Sequence, residues 1–217
     1  MSIAPRFLGH KYVVGVSEVT AATSRAPHTI DVYLDYVCPF SKKMFNTVYS
    51  SVIPAAETKY APGTFTFVFR NQIQPWHPSS TLVHEASLAV EKLAPEAFWA
   101  FSKALFDASA EYYDTEVYYE SRNKTYERLA ELAVKSAGID KDEFLDLVGI
   151  PPSTDGTPSN IGNKITNDLK VFVRQSRKSG IHVSPTVLVD GIENGAISSG
   201  WTTEQWIELL DSLAKES

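Results

Sequence analysis

The chain has 217 residues, enough for one large domain or a smaller one carrying a sizeable insertion. Hydrophobic residues make up 43% and charged residues 21%, which excludes a disordered chain, and the net charge of −6 excludes a general nucleic-acid binder, which needs a basic face. A single cysteine, Cys38, excludes an internal disulfide and favours a reducing compartment; the start of the chain has no apolar core of signal-peptide length and no segment is long enough to span a membrane, so the expectation is a cytoplasmic protein without a membrane or nucleic-acid partner.

Residues 1–27 are weakly patterned: Lys11–Val16, KYVVGV, suits a short strand, and Thr20–His28, TAATSRAPH, a loop. Thr29–Val37, TIDVYLDYV, is dense in β-branched and aromatic residues, which predicts a buried central strand. After Cys38-Pro39 the period changes, and Met44, Phe45, Val48, Tyr49 and Val52 recur at helical spacing. Pro39 suits the first helical turn, where its missing N–H costs nothing; Pro54 kinks or ends the helix, and Pro62-Gly63 stops it. Thr64–Gln72, TFTFVFRNQ, follows as a second strand. Residues 29–72 therefore predict a βαβ unit with parallel pairing.

Residues 78–179 predict about five helices and no strand. Leu82, Ala86, Ala89, Val90 and Leu93 share one helical face; Phe98, Phe101 and Leu105 mark a second helix behind Pro95; Tyr126, Leu129, Ala130 and Ala133 mark a third, stopped by Gly138. Asp140 and Glu143 make a capping-box pattern before Phe144, Leu147 and Val148. A loop, GIPPSTDGTPSN, leads to a helix expected from about Asn160, with Ile161, Ile165, Leu169, Phe172 and Val173. Strands return in Ile181–Gly191, IHVSPTVLVDG, where Asp190-Gly191 is a hairpin-turn dipeptide. Thr202 and Gln205 then cap a last helix carrying Trp206, Leu209, Leu210 and Leu213.

The order βαβ, helices, ββα is an α/β pattern interrupted by an all-helical segment. YLDYVCPFS ends a strand with C-P-x-x at a helix start, VSPTVLVDG sets a proline before a strand and hairpin, and Val52–Ser80 leads from helix to strand to Pro-Trp-His-Pro. With these motifs in this order, the chain resembles the DsbA-like thioredoxin superfamily over about Thr29 to Ala214. The resemblance implies a thioredoxin fold with a large all-helical insertion: a thioredoxin-like domain from 1–77 and 180–217, and an inserted helical subdomain at 78–179. It implies Cys38 as nucleophile, Pro185 as a cis-proline, and Pro39, Phe40, Ser184 and Pro185 as substrate-binding residues around it, with the Ser184 backbone open to strand-like pairing with a substrate; Trp76, at the junction between the two subdomains where ligand clefts tend to form, is the further substrate-binding candidate. Two departures stand out. Redox-active members carry C-x-x-C, whereas Ser41 stands here in the second position; several members bury an acid six residues before the nucleophile, whereas Val32 stands here and Asp35 is the nearest acid.

A cysteine at a helix N-terminus meets orphan N–H donors and the positive dipole end, which favour thiolate. A thiolate attacks a disulfide to give a mixed disulfide. Ser41 cannot resolve it, but its hydroxyl could donate a hydrogen bond to the sulfur. An outside thiol, glutathione above all, would complete the cycle as a cosubstrate rather than a bound cofactor. The expected partners are a small thiol or a protein disulfide, with a homodimer conceivable. The plain alternative is that Cys38 is a small buried hydrophobe. Two further functions stay open: a glutathione-dependent transferase or isomerase of the kappa or 2-hydroxychromene-2-carboxylate isomerase type, where serine usually replaces Cys38, and a redox-inactive binding protein. His77, His84 and His182 are expected to be structural or at the surface, and no metal site is expected. Ala110–Glu120, AEYYDTEVYYE, is expected as a loop with half-buried rings and solvated acids, and Trp99, Trp201 and Trp206 as core.

Overall fold

The computed structural model describes residues 3–17 and 27–215. Among them five strands form one mixed sheet in the order β1-β3-β2-β4-β5: β1 Lys11–Val13, β2 His28–Leu34, β3 Phe65–Asn71, β4 Thr186–Val189 and β5 Ile192–Glu193. β2 and β3 pair in parallel from His28 opposite Phe65 to Leu34 opposite Asn71, while β1 on β3 and β4 on β2 are antiparallel. The helices are α1 Pro39–Thr47, α2 Ile53–Lys59, α3 Ser80–Leu93, α4 Phe98–Asp107, α5 Arg122–Ala137, α6 Lys141–Val148, α7 Thr166–Lys178 and α8 Thr203–Leu213. The expected order of strands and helices is the order found. The loop expected over 20–28 lies outside the described residues apart from Pro27 and His28, and His28 already belongs to β2.

Local chemistry accounts for the boundaries. Pro54 cannot donate to the carbonyl four residues back, and the chain passes through a π-turn, Val48–Val52, between α1 and α2. Gly138, at φ 65°, ends α5 in the left-handed region that glycine enters without strain. Asp140 accepts from the N–H groups of Asp142 and Glu143, and Thr202 and Gln205 cap α8 reciprocally. Asp190 and Gly191 both have positive φ, 50° and 86°, which matches the twist of the β4–β5 hairpin. Several boundaries differ: β1 ends at Val13 and β2 at Leu34, short of the Val16 and Val37 expected, and the chain after Leu34 turns so that the Cys38 N–H meets the Asp35 carbonyl. The helix expected from about Asn160 begins at Thr166, because Gly162 turns left-handed at φ 73° and the Asn163 side-chain oxygen takes the Ile165 N–H at 3.0 Å. Ile161 is accordingly left outside the helix and exposed.

The parallel strands are buried on both faces. Ile30, Val32 and Leu34 of β2 join Phe65, Phe67 and Phe69 of β3 in the main core, which continues without a break into the helical insertion. Phe45 of α1 stacks on Trp99 of α4, ring centroids 5.7 Å apart, and Tyr36 stacks on Phe69 at 5.2 Å. The other face holds Tyr33 against Ile181 and Leu188, and a buried ion pair: Arg70 Nε lies 2.6 Å from Asp31 Oδ1, with Arg70 Nη1 donating to Gln175 of α7 at 3.3 Å. The pair clips α7 to the sheet. Arg70→Met is expected to cost about 3–5 kcal/mol in urea unfolding, since it strands the Asp31 carboxylate in the interior; adding Asp31→Leu is expected to recover most of it. Equal destabilisation in the single and double variants would contradict this account.

Candidate active site around Cys38

Cys38 is the N-cap residue of α1, with Pro39 at the first helical position, and its backbone N–H donates to Asp35 O at 3.1 Å to close the turn out of β2. The residue is 5% exposed. Its thiol donates to the carbonyl of Ser184, at 3.5 Å, across 146 positions of sequence. The Ser184–Pro185 peptide bond is cis. The sheet makes this meeting: β2 and β4 are paired neighbours, so the segment leading into β4 passes the exit of β2.

The site residues expected from the sequence gather unequally. Cys38, Ser41, Ser184 and Pro185 come together. Pro39 and Phe40 flank them on the surface, Phe40 being 62% exposed. Trp76 is 58% exposed, with its ring edge-on to His77 at 6.2 Å between centroids. Ser41 is fully buried, and its hydroxyl oxygen accepts from the Asp35 N–H at 3.2 Å; no hydrogen bond joins it to the Cys38 sulfur. Ser41 thus ties the first turn of α1 to the end of the preceding strand. The Ser184 backbone is not open either. With the Gln74 carboxamide turned to satisfy its surroundings, its oxygen accepts from Ser184 N at 2.7 Å and Ser184 Oγ at 3.3 Å, and its nitrogen donates to His182 O at 3.2 Å. His182 itself is exposed and its ring meets only Gly180 O, at 3.3 Å.

The organising group is Asp35. Its Oδ1 accepts from Val37 N at 3.2 Å and Ser80 Oγ at 3.0 Å, and its Oδ2 from Gln74 N at 3.3 Å. His77 Nδ1 lies 2.7 Å from Oδ2 and His84 Nε2 3.5 Å from Oδ1. Burial works against ionisation of this carboxyl, but the N–H that His84 points at it, then His77 and the Val37 N–H, outweigh it and hold the group below its ordinary value. One carboxylate therefore binds the loop before Cys38, the loop after β3 and the start of α3.

A second layer sets the histidine. Asn71, at the end of β3, donates from Nδ2 to His84 Nδ1 at 2.8 Å and to Ser87 Oγ at 3.0 Å, while its Oδ1 faces His10 Nε2 at 2.8 Å. With Nδ1 accepting, the His84 proton sits on Nε2 and points at Asp35. His10 is buried between the rings of Phe98 and Phe172, at 3.9 and 4.8 Å, with Glu91 3.2 Å from its Nδ1. Sequence reasoning left His77, His84, Gln74 and Asn71 without a site role. The Asp-x-x-Cys spacing was the one available signal, and it located the carboxyl without revealing its direction.

The tyrosine loop departs partly from expectation. Tyr112 is buried and Tyr113 half-buried, while Tyr118 and Tyr119 are 73% and 95% exposed. Glu111 and Glu120 are not simply solvated: both pair with Arg128 of α5, at 2.9 and 2.7 Å, and the Arg128 guanidinium lies 4.8 Å from the Tyr112 ring centroid. Trp99 and Trp206 are core and Trp201 packs at its edge. Among the described residues no cluster of His, Cys, Asp and Glu is arranged to hold a metal ion, and no helix is long and apolar enough to cross a membrane.

No protein-family model matches the sequence, and no curated protein matches it significantly. Solved structures do match. A candidate protein-disulfide isomerase from Pseudomonas syringae is 22% identical, with 92% of this chain and 96% of that one covered at a TM-score of 0.67. BdbD from Bacillus subtilis is 24% identical, with 88% of each chain covered at 0.57. MdbA, a thiol-disulfide oxidoreductase from Actinomyces oris, is 17% identical, with 94% and 86% covered at 0.63. At these identities the likeness is one of fold.

Proposed function

We propose that this chain, which has the DsbA-like thioredoxin fold with a helical insertion, is a thiol-disulfide oxidoreductase-like protein that works through the single thiol of Cys38. One observation carries the reading: Cys38 caps α1 with its sulfur 3.5 Å from the carbonyl of Ser184, the residue before the cis-proline. Three of the similar structures bear names that state thiol-disulfide oxidation or exchange, which supports the same reading.

In the first step the Cys38 thiol loses its proton to solvent, and the thiolate attacks one sulfur of a disulfide R–S–S–R′. The Cys38–S–S–R bond forms, the R–S–S–R′ bond breaks, and R′S⁻ leaves. Cys38 is the only cysteine, so resolution needs a second molecule. An outside thiolate, for which glutathione is the proposed source, attacks the R sulfur and returns Cys38 as thiolate. The small thiol acts as a cosubstrate, in a reducing compartment such as the cytoplasm.

The test is intact mass after incubation with oxidised glutathione. The wild type is expected to gain one glutathione, released by added thiol, and Cys38→Ser is expected to gain none. Tight glutathione binding without an adduct would replace this reading by glutathione-dependent transfer or isomerisation. A folded wild type that neither binds nor forms an adduct would leave Cys38 as a packing residue.

A further inference from the structure

We propose that Gln74 decides which disulfides reach Cys38, because its carboxamide occupies the backbone edge on which an extended substrate chain would pair. The inference rests on the reading of Cys38 as an exchanging thiol. The last β2–β4 pair is Tyr33 with Thr186; beyond it β2 turns away into the Asp35–Cys38 loop, and residues 182–184 lose their strand partner. Gln74 takes that place. Its amide donates to His182 O and accepts from Ser184 N, the alternate carbonyl and N–H that a neighbouring strand would engage, at 3.2 and 2.7 Å. On the same edge the Ser184 carbonyl takes the Cys38 thiol.

Gln74 is not free to swing aside. It is 1% exposed, and its own N–H is held by Asp35 Oδ2 and Ser80 Oγ, each at 3.3 Å. An extended peptide that pairs with residues 182–184 must displace this side chain and leave a buried amide without partners. A small disulfide with no peptide backbone needs only access to the sulfur. The site is therefore selective for small disulfides, and the selectivity resides in one side chain rather than in the nucleophile.

The test compares two probes with the same leaving group, 5-thio-2-nitrobenzoate, in mixed disulfide with 2-mercaptoethanol or with the cysteine of an extended decapeptide. Attack on the alkyl sulfur gives the Cys38 adduct and a coloured thiolate in both cases. The peptide-to-small rate ratio is expected to rise about tenfold in Gln74→Ala, the gain that recovered backbone hydrogen bonds supply. Gln74→Met, which keeps the buried volume but no hydrogen-bonding group, is expected to raise it similarly. A ratio unchanged or lowered in either folded variant overturns the proposal. Independently of any variant, the Ser184 amide of the wild type is expected to exchange its hydrogen at least about 100-fold slower than an open amide, and unprotected exchange overturns it as well. Release of no coloured thiolate from either probe by the wild type would instead overturn the reading of Cys38 on which the proposal rests.

Discussion

Asp35→Asn is expected to destabilise the protein by about 3 kcal/mol at neutral pH, measured by urea unfolding, because an amide cannot accept from both sides at once. In the native fold both oxygens receive donors: Val37 N and Ser80 Oγ on one, Gln74 N and His77 on the other, with His84 alongside. One NH₂ group in that ring faces donors instead of acceptors. The effect should also depend on pH in a defined sense. The Asp35 carboxyl is held below its ordinary value of 3.8 in the fold, so near that pH the unfolded chain binds more protons than the native one. Its stabilising contribution is then complete above about pH 5 and lost as the pH falls through the ordinary value toward the folded one. The gap between wild type and Asp35→Asn should narrow between pH 7 and pH 3. A gap of constant size would mean that the carboxyl is not kept ionised by its neighbours. The same variant should slow adduct formation at Cys38, because Asp35 positions both the loop before the thiol and, through Gln74, the segment opposite it.

Ser41→Cys is expected to convert a one-thiol site into a self-resolving one. After Cys38 has taken up glutathione, a thiol at position 41, in the first turn of the helix that Cys38 caps, can attack the Cys38 sulfur and expel glutathione as thiolate, leaving an intramolecular disulfide between positions 38 and 41. Because the attacking group is held in place, release should be at least about 100-fold faster than the wild type achieves with a dilute outside thiol. Mass spectrometry of the adduct over time gives the rate, and thiol counting detects the new disulfide. The substitution has a cost: the Ser41 oxygen accepts from Asp35 N in a buried position, and sulfur is the weaker acceptor, which should lower stability by about 1 kcal/mol. A folded Ser41→Cys protein that accepts glutathione but never releases it would show that position 41 faces Asp35 too firmly to reach the sulfur.

These two variants separate the layers of the site. Ser41 and Asp35 touch each other through one backbone N–H, yet only position 41 could contribute a reacting atom. His84, Asn71 and His10 lie farther back, and their role is to hold a tautomer and a direction. The interior stacking of His10 between Phe98 and Phe172 also explains why the short 3₁₀ helix Pro5–His10 packs against the insertion.

Much of the fold was legible because its signals are local and short-ranged. Apolar runs such as Thr29–Val37 fix buried strands, the change of period after Pro39 fixes a helix, and Gly138, Asp190-Gly191 and Thr202 with Gln205 fix stops, turns and caps. Cys38, Pro39, Ser41 and Pro185 could likewise be named from motifs, since a helix start and a proline before a strand leave marks along the chain. The start of α7 was missed because Ile161 fits the helical period while Gly162, one residue on, breaks the helix by its backbone angle alone. The order of elements and the identity of the thiol are therefore written along the chain. The directions of the polar side chains arise in the folded packing: Ser41 serves Asp35 and not the sulfur, Gln74 closes the Ser184 edge, and His77 and His84, the latter set by Asn71, converge on one carboxylate. Periodicity encodes burial through many weak, non-directional contacts, whereas each hydrogen bond depends on one direction, as between Cys38 and Ser184, 146 positions apart, and no pattern along the chain records it.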